Sequence, residues 1–174
     1  MTDALNDHVW RDLFVTGLKN AHAMEHEALA MMDRQIERAK NFQEVADMLR
    51  QHRGETELQI ERLDTLLTSL DARPSGLKDA AMSMGGTFAA LGHAIADDEV
   101  IKNALANFAF ENYELAAYQS LIILAEHGSY SLALAPLEET LEEEMRMARW
   151  VQDSLPMVID KHLELRRRGD NASR

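Results

Sequence analysis

Four stretches of this chain place an acidic side chain in the middle of an apolar helical stripe: Glu25, Glu55 beside His52, Glu111 beside Glu114, and Glu144. An ionised carboxylate taken alone into a core costs several kcal/mol, so such positions are stable chiefly when the charge is paired, protonated or bound to a metal. Carboxylate oxygen and imidazole nitrogen are donors that iron and manganese accept, and two such ions about 3.5 to 4 Å apart can share bridging carboxylates. Glu25, His52, Glu55, Glu111, Glu114 and Glu144 are therefore expected to ligate two metal ions, iron or manganese, with oxygen or peroxide as the reaction partner.

Helical phase, at about 100° per residue, sorts the stripes. The first runs Phe14, Leu18, Ala21, Glu25, Leu29, Met32, Ile36; the second runs Val45, Met48, Leu49, His52, Gln59, Leu63, Leu66, Leu70, with Glu55 one turn beyond His52 on its flank. The third is Ile101, Ala104, Phe108, Glu111, Leu115, Tyr118, Ile122, Ala125, flanked by Glu114. In the fourth, Leu137, Leu141, Ala148, Val151 and Leu155 select Glu144 from the run Glu138, Glu139, Glu142, Glu143, Glu144, and Glu143 points away, towards the phase of Trp150. A kink at Pro136 would bring Glu143 or Glu139 into the place of Glu144. Glu55 and Glu114 sit at stripe edges, where a solvated or salt-bridged carboxylate is the ordinary state. His22 and His26 read as surface residues, while Tyr118 and Gln59 lie on the metal face at positions suited to orienting ligands.

The elements that must carry these residues are helices over about 5–39, 42–70, 98–127 and 131–155. Pro74, Ser75 and Gly76 break the chain, and a Gly-punctuated segment from Leu77 to Ala96 is expected to carry a short helix across the bundle. Asp97 and Asp98 suit a helix start and Gly128 a helix end. An extra C-terminal helix is expected over about 157–168, followed by a frayed tail at 169–174. Two helical hairpins joined by one long crossover are the ferritin-like arrangement, an all-α four-helix bundle in a single domain, 1–174. Glu55, Glu111 and Glu144 each lie roughly 14 residues from the start of their pattern, and Glu25 a comparable distance from the end of its own, so all four can meet at mid-bundle.

Composition agrees. Of 174 residues, 46% are hydrophobic but only 6% aromatic, with three prolines, and Ala, Leu, Met and Glu dominate, a helix-forming mixture. The absence of cysteine excludes disulfides, thiolate zinc, iron–sulfur clusters and cysteine nucleophiles. A formal charge of −12 disfavours nucleic-acid phosphates, and the Arg166 to Arg168 cluster instead suits the negative end of the last helix. No apolar run approaches the roughly 18 residues of a membrane span and no basic leader precedes an apolar core, so a cytoplasmic protein without membrane contact is expected.

At Asn20-Ala-His-Ala-Met-Glu25, His52-Arg-Gly-Glu-Thr-Glu-Leu-Gln-Ile-Glu-Arg-Leu63, Glu111-Asn-Tyr-Glu-Leu-Ala-Ala-Tyr118 and Glu139-Thr-Leu-Glu-Glu-Glu144 the chain resembles the YciE/YciF family of ferritin-like stress proteins, related in architecture to rubrerythrin and manganese catalase. The resemblance covers most of the chain. It implies a compact four-helix bundle, commonly dimeric, with a dimetal centre and a stress-associated role. The sequence departs from the wider pattern of Glu-x-x-His on two helices: His52 precedes Glu55, Glu111 is followed by Glu114, and Leu141 and Ala148 offer no donor beside Glu144. The expected function is Fe(II) oxidation or reaction with oxygen or peroxide in stress protection. The alternatives are a non-catalytic structural or stress-response bundle with paired core carboxylates, and manganese catalase-like disproportionation of peroxide. A homodimer is expected, with exposed Trp10 and the C-terminal helix near Trp150 as contributors.

Overall fold

The computed structural model describes residues 2–74 and 98–172. These form helices α1 (Thr2–Arg38), α2 (Gln43–Ser69), α3 (Glu99–His127) and α4 (Ser131–Arg168), with no strand among the described residues. The crossover helix expected over 77–96 lies outside the described residues.

Local chemistry fixes the helix ends. After α2, the Ala72 amide donates to Leu67 O (2.9 Å) and the Asp71 amide to Thr68 O (3.1 Å), with Asp71 at φ 51°; this left-handed closure satisfies carbonyls that the helix leaves open. The same closure ends α3, where Tyr130 N donates to Ala125 O (2.8 Å). There the left-handed residue is Ser129, at φ 58°, rather than Gly128. Gly128 serves a different need, since a Cβ at that position would fall 2.3 Å from the Tyr130 ring. That ring stacks on Phe14 at 4.7 Å between centroids and pins the α3–α4 turn to the start of α1.

Cross-helix pairs give the topology. Phe14 meets Tyr130 and Arg38 pairs with Glu99, so α1 and α3 are antiparallel. Glu55 faces Arg146 and Arg62 bonds Thr140, so α2 and α4 are antiparallel too. Arg11 caps the end of α2 by donating to Leu70 O (2.6 Å), which places that end beside the start of α1, whereas α3 starts beside the end of α1. Two hairpins whose connection joins opposite ends of the bundle are the expected ferritin-like arrangement. Phe14, Leu18, Leu67, Leu121 and Leu137 belong to the buried apolar core, as do Met32, Leu49, Phe110 and Val151. By helix position the first group lies on one side of the carboxylate level and the second on the other. Phe42, Ala46, Val100 and Val158 form a smaller cluster that closes the α1–α2 turn.

Three expectations are corrected. The fourth helix does not stop before Pro156 and no separate C-terminal helix begins at Met157: α4 is continuous to Arg168 with Pro136 and Pro156 inside it. A proline leaves the carbonyl four residues back without its amide partner; that residue is Gln152, which is exposed along with Pro156, so water can serve the carbonyl. Val158 and His162 meanwhile continue the buried face. The tail beyond 168 is not wholly frayed, because His162 Nδ1 lies 2.8 Å from Ala172 O and Asn41 donates to Asn171 O at 2.9 Å. Trp10 is half-buried, tilted against His127 at 5.3 Å between ring centroids, and Trp150 is half-buried as well. No helix among the described residues is long and apolar enough to cross a membrane.

Candidate metal centre

Midway along the bundle, α2 contributes His52, α3 contributes Glu111 and Glu114, one turn apart at i, i+3, and α4 contributes Glu144. One donor atom from each lies within 4.8 Å of the others, and all four residues are buried. His52 Nε2 is 3.4 Å from Glu144 Oε2 and 3.5 Å from Glu111 Oε2. On its other side, His52 Nδ1 is 3.1 Å from Glu55 Oε2. Glu55 reaches the rim, its side chain 22% exposed and 3.5 Å from Arg146.

From α1, Glu25 enters fully buried, and Tyr118 donates its phenolic hydrogen to Glu25 Oε1 at 2.5 Å. Behind Glu144, Gln59 Nε2 donates to Glu144 Oε1 at 2.5 Å and to Glu143 Oε2 at 3.0 Å. Arg62 grips Glu143 with two bonds of 2.6 and 2.9 Å. The structure thus gathers His52, Glu111, Glu114 and Glu144 into one cluster, sets Glu25 beside it, and leaves Glu55 outside it next to His52.

Several readings of individual residues change. Glu143 does not point away; it is buried between α2 and α4, because Arg62 and Gln59 supply donors that a phase count on α4 alone cannot reveal. Pro136 does not bring Glu139 or Glu143 into the place of Glu144, which stays inward and fully buried, while Glu139 pairs with Arg62 at the surface (2.8 Å). Glu114 is no edge residue, being 1% exposed. His22 is buried rather than on the surface, with Nε2 3.2 Å from Asp64 on α2, and it takes no part in the cluster.

Electrostatics are lopsided. Burial first, and the neighbouring Glu144 second, hold the carboxyls of Glu25 and Glu114 well above the usual carboxylate range. Glu111 is raised likewise by burial, against the opposing charge of His52 and with the help of Glu144. For His52, burial favours the neutral ring, but the contacts with Glu144, Glu55 and Glu111 together outweigh it and raise the imidazole well above its ordinary value. The bond to His52 lowers Glu55. One oxygen each of Glu25, Glu111 and Glu144, and both oxygens of Glu114, are buried without any hydrogen-bond partner. A buried polar atom left unsatisfied costs about 1–3 kcal/mol, more when charged, and the unpartnered oxygens of Glu111, Glu114 and Glu144, gathered with one His52 nitrogen, are atoms that a cation would satisfy. The donor set, one nitrogen and carboxylate oxygens, fits a borderline divalent cation.

An all-α bundle of two hairpins with a buried histidine–carboxylate cluster at mid-height is the class that the fold and the site define. The chain belongs to the family described as a domain of unknown function, DUF892, whose model matches residues 9–164. It is 30% identical over 150 residues to Protein YciF of Escherichia coli (strain K12), covering 80% of this chain and 86% of that one. Among solved structures it is similar to a protein from Xanthomonas campestris pv. campestris str. ATCC 33913, with TM-score 0.77 and 26% identity over 91% of this chain and 99% of that one. The crystal structure of the E. coli stress protein YciF matches its fold with TM-score 0.71 and 24% identity over 84% of this chain and 94% of that one.

Proposed function

We propose that this protein binds iron or manganese at mid-bundle and uses it to oxidise Fe(II) or to consume oxygen or peroxide in stress protection. The observation that carries the reading is the convergence of His52, Glu111, Glu114 and Glu144, with buried carboxylate oxygens that lack any other partner. Those four residues would hold metal, with Glu25 at their side as a further carboxylate. Metal there would supply the one-electron redox steps and Lewis acidity that the side chains lack. The chain's own part is to position and to enclose: Gln59 steadies one oxygen of Glu144, leaving Glu144 Oε2 towards His52. Phe110, Leu63 and Met147 bury the surroundings and limit access of water. Tyr118 keeps its phenolic proton, since burial and Glu25 raise that group well above its ordinary value. The stress role draws on the description of E. coli YciF as a stress protein.

Elemental mass spectrometry of protein purified without chelator, before and after anaerobic loading with Fe(II) or Mn(II), tests the reading. Bound metal that Glu111→Ala removes supports it, and oxygen consumption with Fe(II) against oxygen release from peroxide with Mn(II) separates oxidase from catalase-like chemistry. A chain that takes up no metal under any loading would sink it.

One feature favours the non-catalytic alternative. Gln35 and Asn107 exchange two buried amide bonds of 2.8 Å between α1 and α3, a pairing that specifies helix register without any ligand. Under that alternative Glu→Gln changes across the cluster leave the fold intact or strengthen it, and no redox activity accompanies the wild-type chain.

The partner we propose is a second copy. From Asn103 to Ala125 the only charged residues of α3 are Glu111 and Glu114, both buried, so the outer face of this helix carries no charge. Identical chains of net charge −12 repel one another least along such a face.

A further inference from the structure

The six carboxylate and imidazole residues at mid-bundle are not equivalent in what already holds them. His52 has one ring nitrogen committed outward, Nδ1 at 3.1 Å from Glu55 Oε2, and the other directed inward between Glu144 and Glu111. When a metal takes the place of the proton on Nε2, the atom that faces the cluster, the proton on Nδ1 donated to Glu55 fixes the tautomer and the orientation of the ring. Glu55 itself is turned towards the rim, where its other oxygen lies 3.5 Å from Arg146. Both oxygens of Glu114, by contrast, have no partner, and Glu111 and Glu144 each keep one inner oxygen without one. Glu25 is intermediate: Oε2 is unpartnered while Oε1 accepts the Tyr118 hydroxyl.

We infer that the two metal positions of this centre are unequal, with a tight one built from His52, Glu111, Glu114 and Glu144 and a weak one that has only carboxylates and depends on Glu25. Glu55 is a positioning residue that fixes the ring and tautomer of His52 and donates no oxygen to either ion. The inference rests on the reading that this cluster binds metal. The tight position has the only imidazole of the cluster and, in Glu114, a carboxylate with no hydrogen bond to give up, while the inner oxygens of Glu111 and Glu144 face only the same His52 nitrogen, at 3.5 and 3.4 Å. The weak position has no nitrogen donor to itself, must draw on carboxylates that the first ion already uses, and recruits Glu25 only in competition with its bond to Tyr118. Borderline divalent ions gain from a nitrogen donor, and loss of the partner that orients a ligating histidine typically weakens metal binding by about 10–100-fold without removing a ligand.

Titration of the metal-stripped full chain with Co(II), followed by calorimetry and by the visible spectrum of bound cobalt, tests this. The wild-type chain is expected to take one ion per chain tightly and a second at least roughly tenfold more weakly, in line with the affinity order of sites richer in nitrogen. Glu55→Gln, whose amide oxygen still accepts from Nδ1, should keep the first event at the same stoichiometry and with the same spectrum, and weaken it less than Glu55→Leu does. Glu55→Leu should weaken that event by about 10–100-fold at the same stoichiometry, and Tyr118→Phe should strengthen the second event alone. Circular dichroism confirms that each variant is folded before it is titrated. Two equal events in the wild type, or loss of an ion in Glu55→Gln, would overturn the inference while leaving a metal protein. No cobalt binding by the wild type at all would overturn the metal reading and this inference with it.

Discussion

Gln59 on α2 and Glu144 on α4 are joined by a buried bond of 2.5 Å, and the same amide group donates at 3.0 Å to Glu143. One neutral side chain therefore holds two neighbouring carboxylates apart, Glu144 facing the cluster and Glu143 facing Arg62. Gln59→Leu removes both bonds; Glu143 keeps its two from Arg62, so Glu144 Oε1 is the acceptor left unsatisfied, at about 1–3 kcal/mol. The expected result is a lower urea midpoint in the metal-free chain, together with weaker metal binding at unchanged stoichiometry. A midpoint equal to wild type would show that the amide contributes nothing to holding Glu144.

Glu114 has both oxygens buried without a partner, so in the metal-free chain it is a cost to the fold rather than a support. Burial disfavours the ionised form of Glu114, and a neutral amide of the same shape has no ionised form, so the replacement is expected to stabilise the metal-free chain at neutral and higher pH. Glu114→Gln should therefore raise the metal-free urea midpoint while cutting metal uptake. Thermal or chemical denaturation with and without Mn(II) reads both effects, and a variant both less stable and still metal-replete would contradict the assignment.

The same groups set the pH dependence. Glu25, Glu111 and Glu114 hold their protons to higher pH in the folded chain than in the unfolded one. From about pH 4.5 upward the unfolded state releases protons that the folded state keeps, and stability falls as pH rises. His52 acts in the same direction: its raised value contributes stability below about pH 6.5 that is lost as pH climbs through the folded value. Glu55, which is lowered, runs the other way and loses its contribution only as pH falls through its folded value. The metal-free melting temperature should decline from mildly acidic to mildly alkaline pH. Bound metal replaces those protons, so the stabilisation by Mn(II) should grow over the same interval; a metal-free melting curve that climbs with pH would refute the account.

The bounds of α2 and α3, the start of α4, and the inward placement of Glu25, His52, Glu111 and Glu144 were legible because they rest on local rules, a 3.6-residue period and terminating residues, whereas the end of α4 was not, since Pro156 lies inside the helix. What was not legible came from neighbours. Glu143 is buried by Arg62 and Gln59 of another helix, and Pro156 is accommodated because its turn faces solvent. The phase of α3 is the most instructive case. Phe108, Leu115 and Ile122 fall on the half-buried flank, while Asn107, Phe110, Glu114 and Leu121 are buried. A helix that is apolar on all sides gives no amphipathic contrast to orient it, so the apolar count misplaced the stripe and put Glu114 at its edge.

That all-round apolarity leaves a surface to be explained. Leu105 and Ile123 on α3 are 55% and 53% exposed, with the small exposed residues Ala109, Ala116 and Ser120 between them. Leu13, 51% exposed, adjoins this face on α1, since it lies between Trp10, which touches His127, and Gly17, where a Cβ would meet Leu121. A two-fold axis through the middle of α3 would set Leu105 of one copy at the height of Ile123 of the other, and Lys102 at the height of Glu126, with small residues allowing close approach near the axis. Ile123→Lys and Ala116→Arg each place a charge within this face without touching the buried core. Sedimentation equilibrium at micromolar concentration should show a dimer for the wild type and a monomer of unchanged helicity for either variant. A monomeric wild type, or variants that remain dimeric, would mean that the uncharged face of α3 is covered by something other than a second copy.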